Sequence, residues 1–571
     1  MTAEERERIV SQDYADLLIE YGGDMSVFDQ FPNSTIQIIN YLYAVVHVPV
    51  SLINNNTITK YGYAAMPKCY SVISQSSMEA SEIVRLRNIP NFNFRGQGVL
   101  LGIIDTGIDY TNKVFQNADG TTRIASIWDQ SIQSNNPPAR YEYGTEYTRD
   151  QINEALRNAN PLSIVPSTDE NGHGTMVAGI AGGSENQQNN FVGVAPDSEF
   201  VVVKLKPAKQ YLKNFFFIPG NAVCFQETDI FFAMDYLLNM AYNLKRPMSI
   251  CIALGSSQGA HDGQGILSNY LSLSATREGI ATNIAAGNEG NARRHYYGTV
   301  SAATRYDTVE LNVGANVAGF SMEIWGQSPS LFSFDVTSPS GEYISRISTG
   351  RDENRQITFV FEPTTLYVDF QIVESQSGDQ LILIRFEKPS TGIWRFRIYE
   401  SGDLNLGFHI WLPMQGFISD DTYFIHSNPY TTILDLGNAE VPVTITAYND
   451  ADNSLYLNAS RGYTRIGVIK PDVAAPGVNI LGPTPNKEFQ QFTGTSPAVA
   501  HTAGISAMML EWGIVRNNLP DMSTEDIRKL MIRGARRDPN TEYPNRDWGY
   551  GILDIYNVFD ALRTVSSPKM P

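Results

Sequence analysis

The hydrophobic pattern divides the chain into stretches with different periods. From residue 99 to 299, helical patterns alternate with short apolar runs, which are VLLGIID (99–105), VVVKL (201–205), SICIAL (249–254) and IATNIAA (280–286). Continuous apolar strands separated by helices predict a parallel sheet covered on both faces, in a doubly wound α/β domain. The helical patterns cover 228–245, with Thr228 as the predicted N-cap, and 265–279, which ends in a glycine.

Between about residues 300 and 437 the period changes to two. Segments such as ITFVFE, TLYVDFQIVE and GIWRFRIYE are separated by Gly, Pro and Ser turns. Seven or more such strands predict an antiparallel sandwich or jelly roll. The α/β pattern then resumes with VPVTITA (441–447) and with helices near 497–513, 524–534 and 552–563. We therefore expect a β domain (300–437) inserted into one α/β domain formed by residues 76–299 and 438–571.

The first 75 residues predict a small α+β unit. DYADLLIEYG, from Asp13, has a short helical pattern, whereas TIQIINYLYAVVHVPVS is strand-like. A less regular stretch follows, so we expect the boundary to the next domain between about residues 60 and 90.

Composition excludes several classes of protein. The 571 residues contain 42 Lys and Arg against 60 Asp and Glu, a net charge of −18, so we expect no nucleic acid and no membrane as partners. Three cysteines without a CxxC pair predict neither a disulfide framework nor a zinc site. The charged start MTAEERERIV lacks the apolar core of a signal peptide, so we expect synthesis in the cytoplasm.

Three glycine-bearing segments carry candidate chemistry. Asp105 ends an apolar strand in IIDTGIDY, His173 stands between glycines in NGHGTMVAGIAGG, and Ser496 starts a helix in FTGTSPAVAHTAG. Each alone fits an ordinary role, as a turn residue, a structural histidine or a helix cap. Together, at the edges of one sheet, they form the set needed for acyl transfer through a serine. A helix N-terminus also favours negative charge developing beside the serine.

In this order, IIDTGID, NGHGT and GTSPAVAHTAG resemble the active-site motifs of the subtilisin-like serine proteases. An α/β-hydrolase esterase would instead place the serine first, in a GxSxG turn. The resemblance implies that His173 takes the proton of Ser496 and that Asp105 orients His173. It also implies that Asn288, in TNIAAGNEG, belongs to the oxyanion hole, although an asparagine also suits such a turn.

The resemblance extends to substrate contacts. ALGSSQG (253–259) is similar to the family's edge strand, which pairs with an extended peptide. The pocket for the residue before the scissile bond is expected to be lined by Leu254, Gly255, Ser256, Ala286 and Gly287. The chain departs from the usual pattern at Pro497, where Met is common, and at Ala500, where Pro is common. These departures put substrate preference in doubt more than catalysis.

Over nearly its whole length the chain resembles the clostridial Csp-type subtilases, which include germination proteases of spore-forming bacteria. The shared features are the charged N-terminus, RGQGVLLGIIDTGIDY, the β insertion, EWGIV and RDWGYGILDIY. The resemblance implies a self-processing zymogen in which residues 1–75 are a prodomain that occupies the active-site cleft and the insertion is a jelly roll. It places the processing site within about 65–82 and leaves open cleavage at Lys68, Tyr70, Ser74 or Gln75.

The resemblance implies protein or peptide substrates and no cofactor for catalysis. Many subtilases hold structural calcium, but no contiguous acidic loop identifies ligands in this sequence. Spore association and release by lysis both stay open. Two alternatives concern binding: a catalytically silent regulatory pseudoprotease, and a lectin-like insertion whose stacking faces are Trp325, Trp394 and Trp411. For these tryptophans, filling the sandwich core or bracing the protease and prodomain is the favoured interpretation.

Overall fold

A nine-stranded sheet forms the centre of the computed structural model, which describes residues 1–76, 94–301, 303–347, 354–402, 404 and 406–565. Its central strands are parallel, as the sequence predicts, and the two edge strands are antiparallel to their neighbours. In spatial order the strands are Ser454–Leu455, Val443–Asn449, Ile280–Ala285, Met248–Ile252, Leu100–Asp105, Glu199–Lys204, Ile124–Asp129 and Thr145–Thr148, with Val473–Pro476 also paired to Val443–Asn449.

Helices cover both faces of this sheet. Alternate residues of one central strand show this, because Leu101 and Ile103 belong to one apolar cluster and Leu100 and Ile104 to another. The described helices are Ala3–Val10, Thr57–Tyr61, Arg149–Arg157, His173–Gly182, Gln210–Phe216, Glu227–Leu244, Ile266–Ala275, Thr495–Leu510, Thr524–Gly534 and Ile555–Val565. The chain is therefore a doubly wound α/β protein around its main sheet.

Several predicted helix ends are shifted. The helix predicted from Thr228 begins at Glu227, and Gln226, which ends a short strand, takes the N-cap position. The helix predicted over 265–279 ends at Ala275, before the glycine.

The apolar stretch Thr495–Val515 is long enough to cross a membrane by length and composition, but 78% of its most apolar window is buried inside the protein. It is the core helix of the fold and continues into Glu511–Val515. Its buried small residues pack directly on the main sheet.

The N-terminal residues fold as an antiparallel sheet in the order Tyr14–Glu20, Tyr43–Pro49, Thr35–Ile38. The helix predicted for DYADLLIEYG is therefore wrong, because Tyr14–Glu20 is a strand. Ala15 and Leu17 belong to one apolar cluster and Leu18 to the other, so the strand is covered on both faces and its apolar run is continuous. A continuous run of this length carries no period that separates strand from helix.

The period-two region forms two antiparallel sheets around a shared apolar core. We call residues 295–424 the inserted sandwich. Its three predicted stacking residues, Trp325, Trp394 and Trp411, are only 1%, 0% and 3% exposed. Trp394 lies in the sandwich core, whereas Trp325 packs against Tyr63 of the N-terminal region and Trp411 against His261 of the α/β region. The strands, sheet by sheet, are His295–Thr299, Gly407–Trp411, Gly319–Gly326, Gln380–Glu387, Thr365–Gln371 and Asn354–Thr358; and Tyr343–Ile347, Leu331–Thr337, Gly392–Ser401, Asp307–Val313 and Tyr423–Phe424.

A buried carboxylate joins the three regions of the chain. Glu323 of the inserted sandwich accepts hydrogen bonds from the Tyr63 hydroxyl (2.6 Å), the Gly259 N–H (2.9 Å) and the Trp325 indole (3.0 Å). Tyr63 lies in the N-terminal region and Gly259 in the α/β region. Burial raises the pKa of Glu323 to about 7.

Replacing this carboxylate should loosen the contact. Glu323→Ala leaves the three donors without their acceptor, and we expect a loss of about 2–4 kcal/mol in the free energy of unfolding, measured by urea titration. Glu278→Ala, at an exposed position, serves as the control. A loss below about 0.5 kcal/mol for Glu323→Ala would show that the contact contributes little.

The raised pKa gives the contact a pH dependence. The folded protein holds the Glu323 proton more tightly than the unfolded chain, whose glutamate pKa is about 4.3. Wild-type stability relative to Glu323→Gln should therefore fall as pH rises from about 4.5 towards 7 and stay level above that, in urea titrations across this range. A difference that does not vary between pH 4.5 and 8 would contradict this expectation.

Candidate active site

Asp105 and His173 lie together at one edge of the main sheet. Asp105 is the last residue of the strand Leu100–Asp105, and His173 is the first residue of the helix His173–Gly182. Nδ1 of His173 is 2.8 Å and 2.9 Å from the two carboxylate oxygens of Asp105, and both side chains are buried. With Nδ1–H donating to Asp105, the other ring nitrogen, Nε2, is left as a proton acceptor.

A second carboxylate holds this corner in place. Asp169 accepts hydrogen bonds from the Thr106 hydroxyl (2.7 Å), the Gly172 N–H (2.9 Å) and both the N–H and hydroxyl of Thr175 (2.8 and 2.7 Å). It therefore ties the strand end beside Asp105 to the helix start that carries His173. Local sequence did not identify Asp169, because its role depends on the turn that brings residues 106 and 172–175 together.

Glycine is required directly after the histidine. A Cβ on Gly174 would lie 2.1 Å from the Gly107 carbonyl oxygen and 3.1 Å from Cβ of Asp105. Only a residue without a side chain allows the helix to approach the strand end so closely. The glycine in the motif thus sets the distance between the acid and the histidine.

Ser496 lies in the first turn of the core helix, which begins one residue earlier, at Thr495. Its Oγ and Nε2 of His173 are both buried and have no hydrogen-bond partner among the described residues. The helices that carry the two residues pack against each other. Pro497 is the third helical residue rather than the first, and it is tolerated because first-turn N–H groups have no partner within the helix.

Asn288 is fixed beside the serine. Its Oδ1 accepts hydrogen bonds from the N–H (3.1 Å) and hydroxyl (3.2 Å) of Thr495, the neighbour of Ser496. Its Nδ2 donates a short hydrogen bond to the carbonyl oxygen of Ile73. Gly494 has φ +147°, and a Cβ there would lie 2.9 Å from Nδ2, so a side chain would press on the amide.

Residues 68–76, which we call the cleft segment, run past this site as an extended peptide. Cys69–Val72 pairs with two strands, Phe225–Gln226 on one side and Leu254–Gly255 on the other. Beyond Ile73, Ser74–Ser76 pairs with Phe489–Gly494. The peptide bond after Ile73 is therefore held from both sides, in the manner of a peptide added to sheet edges.

Two of the predicted pocket residues, Gly255 and Gly287, pack against the side chain of Leu434, which the sequence did not single out. A Cβ on Gly255 would lie 2.3 Å from Leu434 and 3.0 Å from Ile73, and a Cβ on Gly287 would lie 2.6 Å from Leu434. The carbonyl oxygens of Ala286 and Ser256 accept hydrogen bonds from the N–H groups of Leu434 (2.9 Å) and of Asp435 (2.8 Å). Leu254 pairs with Val72. Leu434 and Asp435 follow the inserted sandwich, and no local signal connects them with residues 254–287.

No metal centre is evident in the parts of the chain that the structure describes, where no group of three or more His, Cys, Asp or Glu side chains could hold an ion. The three cysteines are buried and unpaired.

The fold and this set of side chains define a serine peptidase of the doubly wound α/β type. A sequence model of the subtilase family matches residues 96–358 and 420–551. The chain belongs to the subtilase family, whose members are serine endopeptidases and need no cofactor for catalysis.

Individual relatives agree with this assignment. The chain is 24% identical over 494 residues to subtilisin-like protease SBT3.9 of Arabidopsis thaliana, an alignment that covers 78% of this chain and 59% of the relative. It is 23% identical over 515 residues to a C5a peptidase of Streptococcus pyogenes, covering 83% and 40%. The chain thus spans 59% of the length of the first of these curated relatives and 40% of the second. The structure of the Clostridium perfringens CspB protease is similar at a TM-score of 0.75 with 29% identity, covering 84% of this chain and 96% of that one.

Removing the histidine should abolish peptidase turnover. His173→Ala takes away the proton acceptor for Ser496, and loss of this group costs about 10⁶ in turnover in subtilisin, where the value was measured. We expect a loss of this order in hydrolysis of an unstructured protein such as casein. His426→Ala, at an exposed histidine, is the matched control, and equal activity of both variants would remove His173 from the reaction.

Proposed function

We propose that the protein is a subtilisin-like serine endopeptidase, made as a zymogen that cleaves its own Ile73–Ser74 bond. The observation that carries this proposal is the hydrogen bond from Nδ2 of Asn288 to the carbonyl oxygen of Ile73. An oxyanion-hole donor makes such a contact with the carbonyl that is attacked. Pairing of the cleft segment on both sides of Ile73 supports the same bond.

The reaction follows from these positions. Ser496 Oγ attacks the Ile73 carbonyl carbon while Nε2 of His173 takes the hydroxyl proton, and Asp105 stabilises the resulting imidazolium. The N–H groups of Asn288 and Ser496 hold the negative oxygen of the tetrahedral intermediate. The bond to the Ser74 nitrogen then breaks as His173 donates its proton to the leaving amine. Water hydrolyses the acyl-enzyme by the same proton transfers in reverse.

The bond after Ile73 lies within the predicted range of 65–82. It does not follow any of the four candidate residues, which are Lys68, Tyr70, Ser74 and Gln75. Residues 77–82 of that range lie outside the described residues. In this proposal residues 1–73 are the prodomain and occupy the cleft, and the inserted sandwich is a jelly roll. Other proteins or peptides are the substrates in trans.

The domain bounds of 1–75, 76–299 with 438–571, and 300–437 stay predictions, as does synthesis in the cytoplasm. A silent pseudoprotease is not favoured, since Asp105, His173, Asn288 and Ser496 are all present and at least three of them make the contacts that catalysis needs. These contacts support an enzyme rather than a binding protein that has lost its catalytic residues.

Self-cleavage is tested by intact mass. Wild type should yield one fragment ending at Ile73 and another beginning at Ser74, whereas Ser496→Ala should stay whole, because it lacks the attacking oxygen. Cleavage of both proteins would mean that another protease processes the chain. Cleavage at a different bond in wild type alone would keep the serine mechanism and exclude Ile73 as the acyl donor.

A further inference from the structure

Four side chains of the cleft segment upstream of Ile73 are buried, those of Lys68, Cys69, Tyr70 and Ser71, and two of these, Lys68 and Tyr70, contact buried carboxylates. Tyr70, three residues before Ile73, is 0% exposed, and Lys68, five residues before it, is 6% exposed. Cys69–Val72 also forms backbone pairs with the flanking strands, which any sequence could make, and the Ser71 hydroxyl donates to the carbonyl oxygen of Val223 at 2.8 Å. Positions 68 and 70 differ from these because each places a polar group against a buried carboxylate.

The Tyr70 pocket ends in a carboxylate. The ring belongs to an apolar cluster with Phe225, Phe231 and Leu254, and its hydroxyl donates a hydrogen bond of 2.9 Å to Oδ2 of Asp435. Burial raises the pKa of the Tyr70 phenol well above its ordinary range, so the hydroxyl keeps the proton that it donates. Burial also raises the pKa of Asp435, against the opposing effect of Lys68.

Lys68 balances negative charge in the adjoining pocket. Its Nζ is 3.4 Å from Oε1 of Glu227, and its backbone N–H donates to Oε2 of the same carboxylate at 3.0 Å. Burial lowers the pKa of the Lys68 ammonium, but the charges of Glu227 and Asp435 outweigh this effect and raise it. In the part of the chain that the structure describes, Glu227 forms no other ion pair, and Asp435 forms none at all within salt-bridge distance.

Asp435 faces both pockets, which makes them one recognition site. A Cβ on Gly259 would lie 2.9 Å from Oδ1 of Asp435 and 3.2 Å from Cε of Lys68, and a Cβ on Gly265 would lie 3.5 Å from Nζ of Lys68. The glycine at position 259, with φ +108°, leaves the room that the lysine stem occupies. The walls of the site are thus shaped around a phenol and an ammonium group.

We propose that Asp435 and Glu227 make the cleft select protein segments with a tyrosine three residues, and a lysine five residues, before the residue whose carbonyl is attacked. This inference rests on the proposed self-cleavage after Ile73. A phenylalanine would leave the Asp435 carboxylate buried without its donor, and an uncharged residue at position 68 would leave two buried carboxylates without their cation. Sites built to bind a hydroxyl reject analogues that lack it far more strongly than apolar pockets reject a change of size.

The first test is the rate of self-cleavage in the full-length chain, followed by pulse-labelling during cell-free synthesis. Tyr70→Phe and Lys68→Met should each slow release of residues 1–73 by about 10–100-fold, the usual range for loss of one buried charge-assisted contact. Tyr41→Phe is the matched control, because Tyr41 lies in the same N-terminal region and is 73% exposed. Rates for Tyr70→Phe and Lys68→Met within threefold of wild type would overturn the proposal.

A double-mutant cycle separates recognition from a general loss of folding. Asp435→Leu replaces the carboxylate with an apolar side chain of similar size, and it should slow the cleavage of wild-type Tyr70. In combination with Tyr70→Phe the rate should recover at least fivefold relative to Asp435→Leu alone, because neither partner is then left unpaired. Additive losses would show that Tyr70 and Asp435 do not act as a pair.

The same cycle in the Ser496→Ala background distinguishes the two proposals. If wild type never cleaves itself, the proposed function fails, but the coupling of Tyr70 with Asp435 is still measured as a non-additive shift in the thermal midpoint of the uncleaved chain. If wild type cleaves and position 70 accepts phenylalanine freely, only the selectivity is wrong.

A library randomised at positions 68 and 70, sorted by release of an N-terminal tag, should return lysine at position 68 and tyrosine at position 70. Equal recovery of all residues at these positions would overturn the inference.

Discussion

The arrangement of the whole molecule depends on one interaction, the pairing of the cleft segment with the edges of neighbouring strands. Cys69–Val72 hydrogen-bonds to strands on both sides, and Ser74–Ser76 continues along a third. These backbone bonds fix Ile73 beside Asn288. They also hold the N-terminal sheet close enough for Tyr63 to contact Glu323 in the inserted sandwich. Without this segment, the edges of Phe225–Gln226 and Leu254–Gly255 would be left with unpaired backbone groups.

The sequence alone predicted the functional residues that lie in short, recognisable motifs. Asp105, His173 and Ser496 could be found because each stands where a strand or helix meets glycines, and Gly174 shows why those glycines are needed. The helix predicted for Tyr14–Glu20 is wrong because a strand covered on both faces shows no alternation of apolar and polar residues. Leu434 and Asp435 could not be found, since their partners at residues 70 and 255 are distant in sequence and meet them only after the inserted sandwich has closed.

The protein contains more carboxylates than basic side chains. Several lysines are nevertheless buried, and three of them besides Lys68 contact a buried carboxylate. Lys209 is 2.7 Å from Asp16, Lys206 is 2.6 Å from Asp229, and Lys470 is 2.7 Å from Asp472. Such pairs contribute little net stability, but each is costly to break from one side. The pair between Asp16 and Lys209 joins the N-terminal sheet to the α/β region.

The path of the chain on leaving the inserted sandwich connects the position of the sandwich with the shape of the cleft. The sandwich ends at residue 424, and within about ten residues the chain supplies Leu434 and Asp435 to the cleft. A change in the length or path of residues 425–433 would therefore shift Leu434 and Asp435, whereas Glu227, in the helix Glu227–Leu244, would keep its place. The inserted sandwich thus acts on the cleft through the segment that leaves it, so its anchorage, and not only its own surface, bears on the shape of the active site.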